Sequence, residues 1–373
     1  MPETTPKPSV FAIFLTFLKL GATGFGGPVA LISLIDQECR LRLKWISAAQ
    51  FNEAVLFCKL LPGPLAYQVA LWVGKDLRGF WGGIAACLGF LIPGFSLILV
   101  LAIFYQSLHD WALFEGVLQG VRGAALIVIL ISLWKLAEPY KHKAVAWVGA
   151  GLGGLWMYAF PRWEPASILL GGLVSVAWRQ RRRSLGLLSV EPFSLALLGT
   201  LLWVHFKAGA FVYGTGVAVL PFLQHEVVDL RHWLTPEQFL DGIAFGQVTP
   251  GPLTIASAFI GYYAAGFWGA VVATAGMYLP GMLLVLGVVP LIHSRLRGKQ
   301  WLLDFQEGAM PIVVGGIAGA WVFLLPAAVP RASAGVLTAF LGVVAWRFPK
   351  LPAWGMMILG GVLGAVIFTW LKW

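Results

Sequence analysis

Two lysines, Lys19 and Lys207, stand 188 residues apart, and each is followed within a few residues by a glycine-rich run. The same shift matches two carboxylates, Glu53 with Asp241, and two hydrogen-bond donors, Lys59 with Gln247. All six lie in otherwise apolar sequence. A lysine at the centre of a lipid-embedded helix costs about 2.5–3.5 kcal/mol, so it should face the protein interior or reach back to an interface. The chemistry open to this set is anion binding by the lysines and oxyanion hydrogen bonding by Lys59 and Gln247. Glu53 and Asp241 could carry a proton in a coupled cycle. A lysine could also cap carbonyls of a broken helix, and Glu53 or Asp241 could pair with Lys59 or face water.

The residues beside these groups break helices at matched places. Phe25-Gly26-Gly27-Pro28 follows Lys19, and Tyr213-Gly214-Thr215-Gly216 follows Lys207. Pro62-Gly63-Pro64 follows Lys59, and Pro250-Gly251-Pro252 follows Gln247. Proline removes a backbone donor and glycine weakens a helix, so each run should end one half-helix. Proline also suits the first turn of the next one. A new helix start exposes free N–H groups and about half a positive charge, which together attract anions. A single Pro-Gly pair reads more simply as a kink, as at Pro93-Gly94 and Pro280-Gly281. The predicted substrate-binding set is therefore Lys19, Phe25, Gly26, Gly27, Pro28, Lys59, Pro62, Gly63 and Pro64 in the first half. In the second half it is Lys207, Tyr213, Gly214, Gln247, Pro250, Gly251 and Pro252.

The elements that carry these residues must be membrane helices. The chain has 373 residues, 59% hydrophobic and 11% charged, against about 25% charged in a soluble domain. Apolar stretches of about 20 residues, enough to span a bilayer, recur along it. The formal net charge of +10 is concentrated in short loops such as Arg179-Gln180-Arg181-Arg182-Arg183, where it sets orientation and not nucleic-acid binding. The three cysteines and six histidines have neither disulfide nor metal-ligand spacing, so no metal or cofactor is expected. No paired histidines or Ser-His arrangement suggests an enzyme.

The 188-residue shift also matches Glu38 with Glu226, Trp45 with Trp233 and Phe51 with Phe239. Glu38 with Trp45, and Glu226 with Trp233, read as interface anchors. After a one-residue gap, Gly79-Phe80-Trp81-Gly82 falls on Gly266-Phe267-Trp268-Gly269. The chain is thus predicted to be a duplication: a tail (1–9), a first repeat (10–178), a basic linker (179–192) and a second repeat (193–373). Arg40, Arg42 and Lys44 mark one loop as cytoplasmic, whereas its equivalent carries only Arg231 against Glu226 and Asp229. The halves should therefore be inverted in the membrane, as in many secondary transporters. The expected fold is all-α and integral to the membrane. It has about ten transmembrane helices and two re-entrant broken helices, near Ser47 to Lys75 and Thr235 to Tyr262. The first element is expected to run from Val10 to about Leu43 with its break in the middle.

Phe25-Gly26-Gly27-Pro28, Lys44-Trp45-Ile46, Leu60-Leu61-Pro62-Gly63-Pro64 and Gly89-Phe90-Leu91-Ile92-Pro93 together resemble the chromate ion transporters of the two-domain type. The resemblance covers both halves. It departs at Lys59, where an uncharged residue is expected, and at Tyr213-Gly214-Thr215-Gly216. It implies export of chromate from a bacterial or archaeal cell across the plasma membrane, coupled to sulfate or protons, and chromate resistance. The partners implied are the oxyanion and membrane lipid, with a homodimer one assembly open to the chain. An ion channel, or a carrier of another small anion, is the alternative.

Overall fold

The computed structural model describes residues 8–109, 111–159, 170, 197–212, 216–291 and 300–370. Tyr213, Gly214 and the Arg179–Arg183 cluster lie outside the described residues. Within them the chain is all helical. The first half contains α1 (Val10–Thr23), α2 (Gly27–Ile35), α3 (Ala48–Leu60), α4 (Leu65–His109), α5 (Ala112–Ala137) and α6 (Ala144–Ala159). The second contains α7 (Leu197–Ala210), α8 (Leu220–Gln224), α9 (Pro236–Val248), α10 (Ser257–Met282), α11 (Gln300–Ala328), α12 (Ala332–Arg347) and α13 (Ala353–Gly364). Among the described residues, four stretches are long and apolar enough to cross a membrane: Leu65–Tyr105, Ala112–Tyr140, Leu253–Leu291 and Glu307–Ala328.

The duplication is visible in local structure. Ser47 and Thr235 each open a helix with a reciprocal capping box, using Gln50 and Gln238. The continuations of α2 and α8 are both π-helical, over Asp36–Arg42 and His225–Leu230. α4 and α10 each turn a corner at a glycine of positive φ, Gly79 at 61° and Gly266 at 63°. Gly74 and Gly82 flank the first corner with their backbones in contact, and Gly261 and Gly269 repeat this at the second. The arm before the first corner folds back on α3, with Phe57 and Trp72 at 5.5 Å. In the second copy Phe245 and Phe259 meet at 5.6 Å. Each helix before the Pro-Gly-Pro run has 13 residues. At 1.5 Å per residue such a helix is about 20 Å long, short of the roughly 30 Å hydrocarbon core.

The first element of each half differs from the straight broken span expected. Lys19 on α1 reaches Glu38 on the turn after α2, at 3.3 Å and 19 residues along the chain. A continuous helix would separate them by about 28 Å. The break at Gly24–Gly27 therefore doubles the chain back on itself. Lys207 and Glu226 show the same in the second half. Gly26 and Gly27, at φ of 108° and 82°, let the chain turn at the break, the Lys19–Glu38 pair spans the two arms, and Gly21 lets α1 rest on the Phe90 carbonyl of α4.

The halves are interlocked. α6 packs on α11, and its equivalent α12 packs on α5. The central helices α5 and α11 lie against each other in opposite directions. Gln119 near the start of α5 donates to the Ala328 carbonyl at the end of α11, at 2.8 Å. Trp321 donates to the Leu126 carbonyl in the middle, at 2.9 Å. Lys143, beyond the end of α5, pairs with Glu307 near the start of α11.

Candidate functional site

The four breaks meet through a reciprocal pair of hydrogen bonds. The Gly63 N–H donates to the Val212 carbonyl at 2.7 Å, and the Gly251 N–H donates to the Gly24 carbonyl at 2.8 Å. Val212 is the equivalent of Gly24, and Gly251 that of Gly63, under the 188-residue shift. The second break of each half thus reaches the first break of the other. Gly63 and Gly251 hold φ of 132° and 106°, a region open to glycine and strained for other residues. Pro93-Gly94 and Pro280-Gly281 join the same centre. A side chain at Gly94 would meet the Pro250 carbonyl at 2.5 Å, and one at Gly281 would meet Gln68 at 3.4 Å.

Uncharged polar groups line this meeting point. Gln68 is fully buried and its Nε2 donates to the Pro62 carbonyl at 2.6 Å. Its Oε1 has no hydrogen-bond partner among the described residues. The Tyr67 and Tyr278 rings lie 4.8 Å apart, Tyr278 hydrogen-bonds Thr254 at 2.8 Å, and the Cys87 thiol meets the Tyr67 hydroxyl at 3.3 Å. The Ser257 hydroxyl is buried without a partner among the described residues. Gly63 and Gly251 spend their N–H groups on carbonyls here, so these two donors are engaged.

The matched lysines are paired. Lys207 binds Glu226 at 2.8 Å, and Glu226 is also bound by Arg231. Lys19 and Arg42 bind Glu38 in the same way. Each half therefore carries a Lys–Glu–Arg triad with one net positive charge. The carboxylate of each stands on a π-helical turn, a form frequent at functional sites.

A duplicated chain with paired broken helices and matched charge triads can be set beside known proteins. The family profile described as Chromate transporter matches residues 11–176 and again 199–365. The chain belongs to the chromate transporter family. It is 32% identical to a probable chromate transport protein of Synechococcus elongatus, over 95% of this chain and 94% of that one. It is 30% identical to a chromate transport protein of Cupriavidus metallidurans, over 97% and 94%. A chromate transport protein of Pseudomonas aeruginosa is also 30% identical, over 99% and 94%. No solved structure matches.

In this chromate transporter family member the two carboxylates matched in sequence have unlike surroundings. Asp241 is fully buried. Arg122 grips it with a two-pronged fork, Nε to Oδ1 and Nη2 to Oδ2, both at 2.8 Å. The Tyr105 hydroxyl donates to Oδ2 at 2.6 Å. Glu53 is half-buried on α3, within electrostatic range of Asp76. Asp76 accepts from the Trp72 indole at 3.1 Å and lies 3.7 Å from Lys75. Lys59 is exposed at the end of α3, while Gln247 is half-buried. Phe25 is exposed, 6.3 Å from the ring of Trp354, and Pro28 stands in the first turn of α2.

Sequence takes Glu38 and Glu226 for interface anchors and not for lysine partners, and it does not single out Gln68 or Arg122. Glu38 and Glu226 carried a usable signal, since each follows its lysine by the same 19 residues. Gln68 had none beyond its place after Pro62-Gly63-Pro64. Arg122 has no counterpart under the repeat, so a search for matched residues passes over it.

Proposed function

We propose that this chain is a secondary active carrier that exports a tetrahedral oxyanion across the plasma membrane. Chromate is the substrate, and sulfate competes with it or exchanges for it. The reciprocal Gly63–Val212 and Gly251–Gly24 hydrogen bonds carry this reading. They bring four interrupted helices to one place, and a tetrahedral anion needs donors converging from several directions. The two triads add two net positive charges, the complement of a dianion. The names of the relatives supply chromate within the oxyanion class. Sulfate has the same shape and charge, so it should enter the same site.

The antiparallel run of α5 along its equivalent α11 supports the inverted insertion of the halves. With α5 and α11 crossing in opposite senses, the α3 hairpin enters from the cytoplasm and the α9 hairpin from outside. Both re-entrant tips then meet in mid-membrane, where interrupted backbone is tolerated because it is buried in protein. Glu53 and Asp241 are the candidate proton carriers, and Asp241 is held by Arg122 and Tyr105.

Liposomes containing the purified protein test the reading. Labelled chromate should move against empty-liposome controls, and excess sulfate should slow it. Lys19→Ala combined with Lys207→Ala should reduce flux at least tenfold. Cells expressing the protein should accumulate less chromium. Flux equal to that of empty liposomes would reject transport, and full flux in the double variant would remove the lysines from the site.

A further inference from the structure

Gln68 stands in the first turn of α4, just after the Pro62-Gly63-Pro64 break. Its side chain is fully buried. The Pro62 carbonyl can only accept, so the amide must turn its nitrogen toward it, at 2.6 Å. That fixes the other atom. Oε1 is a pure acceptor, and it has no partner among the described residues. Flipping the amide would not cure this, because two acceptors would then meet at Pro62. A buried acceptor without a donor is costly and calls for an occupant that brings a hydrogen.

The surroundings are those of the central breaks. A side chain at Gly63 would collide with the Gln68 amide. Gly281 of the second half lies against both Tyr67 and Gln68, and a side chain there would meet each at 3.4 Å. The Tyr67 hydroxyl accepts from the Cys87 thiol at 3.3 Å, which leaves its own hydrogen to donate. A donor and an acceptor thus converge on one glycine. Beside Gly251 a side chain would meet nothing within 4 Å, so the centre keeps open space. The repeat supplies no second amide. The equivalent of Gln68 is Ala256 under the 188-residue shift, and Ile255 once the one-residue gap is taken.

We propose that Gln68 Oε1 accepts a hydrogen bond from the hydroxyl of a protonated oxyanion, so that the protein binds hydrogen chromate in preference to anions that carry no proton. The inference rests on the transport reading and names the ionic form that its site selects. Chromate takes up a proton at mildly acidic pH, whereas sulfate and selenate do so only in strong acid. One acceptor suits one hydroxyl, and the remaining oxygens take donors such as Tyr67. Sulfate fits the tetrahedron but leaves Oε1 unpaired, so it competes from a weaker position. A site built around a specific hydrogen bond rejects an analogue lacking it more strongly than an apolar pocket rejects a change of size.

Competition between labelled chromate and selenate tests this, since selenate has nearly the size of chromate without its proton. Binding is measured by equilibrium dialysis of the purified protein in detergent, and flux in liposomes. As the pH falls from mildly alkaline to mildly acidic, the excess of selenate needed to halve chromate binding should rise at least fivefold. A site for the dianion gives the opposite sign, because acid removes dianionic chromate and leaves selenate untouched. Both anions meet the same protein at each pH, so titration of Tyr67, Tyr278 or Cys87 cancels from the ratio. Gln68→Leu should abolish the rise while still binding selenate. Equal weakening of both anions in Gln68→Leu, as loss of a buried water would give, overturns the assignment. So does a ratio in the parent protein that stays level or falls in acid, a result that needs no variant. Chromate flux with selenate an equal competitor at either pH rejects the role of Gln68 and leaves transport standing. The expected pH pattern in binding, with no flux, rejects transport and keeps that role.

Discussion

Lys207 and Lys19 make the same contact in different surroundings, and the difference predicts unequal effects. Glu226 is 4% exposed at its side chain and Lys207 25%, while Lys19 is 55% exposed. Removing Lys207 takes one of two cations from the buried Glu226 carboxylate and leaves Arg231 as its partner. A hydrogen bond to a charged group contributes about 1.5–3 kcal/mol, and an exposed ion pair below about 1 kcal/mol. Lys207→Ala should therefore lower the unfolding temperature in detergent by several degrees, and Lys19→Ala by little. Equal shifts would mean that burial does not govern the two triads. Much of this was readable in the sequence, because a lysine and a glutamate recur at one spacing in both halves. Arg122 was not, because repeat matching finds what two copies share, and the fork is what they do not share.

At the scale of elements, the sequence marks where helices stop but not the angle through which the chain turns. Phe25-Gly26-Gly27-Pro28 predicts a break inside a continuing span, and the structure has a reversal there. The positive φ of Gly26 and Gly27 allows the turn, and Phe90 against Gly21 and Glu38 against Lys19 fix where the two arms lie. The second break was better specified. Pro62-Gly63-Pro64 lies between two short helices whose facing residues, Phe57 and Trp72, can pair only if the chain folds back. The corner at Gly79 separates two effects of glycine. Its φ of 61° is left-handed, yet a side chain there would meet nothing within 4 Å. At φ 61° and ψ −151° the backbone lies in a region open essentially to glycine, so Gly79→Ala should cost backbone strain alone, about 1–3 kcal/mol. Gly74 has ordinary helical geometry but lies against the backbone of Gly82. Gly74→Ala must push the two arms apart, so it should cost more than Gly79→Ala and lower the yield of monodisperse protein. If Gly79→Ala proves the worse of the two, close backbone approach is not what shapes the corner.

For the whole molecule, loop charge and helix direction bear independently on how the second half is oriented. The loop charges predict inversion from the excess of Lys and Arg on one side. The contacts of α5 with α11 set these equivalent helices antiparallel, which is what the proposed inversion requires. Gln119 meets Ala328, Leu126 meets Trp321, and Lys143 meets Glu307, an ordering possible only when equivalent helices run antiparallel. Composition could predict a membrane protein and repetition could predict two halves. The interlocking of α6 with α11 and of α12 with α5 could not be read, because apolar helix faces do not name their partners. The two lines of reasoning make a joint prediction. Gln119→Cys and Ala328→Cys should form a disulfide within one chain, and Gln119→Cys with Gln300→Cys should not. In intact cells, Thr235→Cys should react with an impermeant thiol reagent, while Ser47→Cys should react only after the membrane is opened. A Gln119–Ala328 crosslink together with labelling of Ser47→Cys and Thr235→Cys from one side would break the agreement. It would keep the fold but reject the inverted insertion, and the four breaks would then lack a shared centre in mid-membrane.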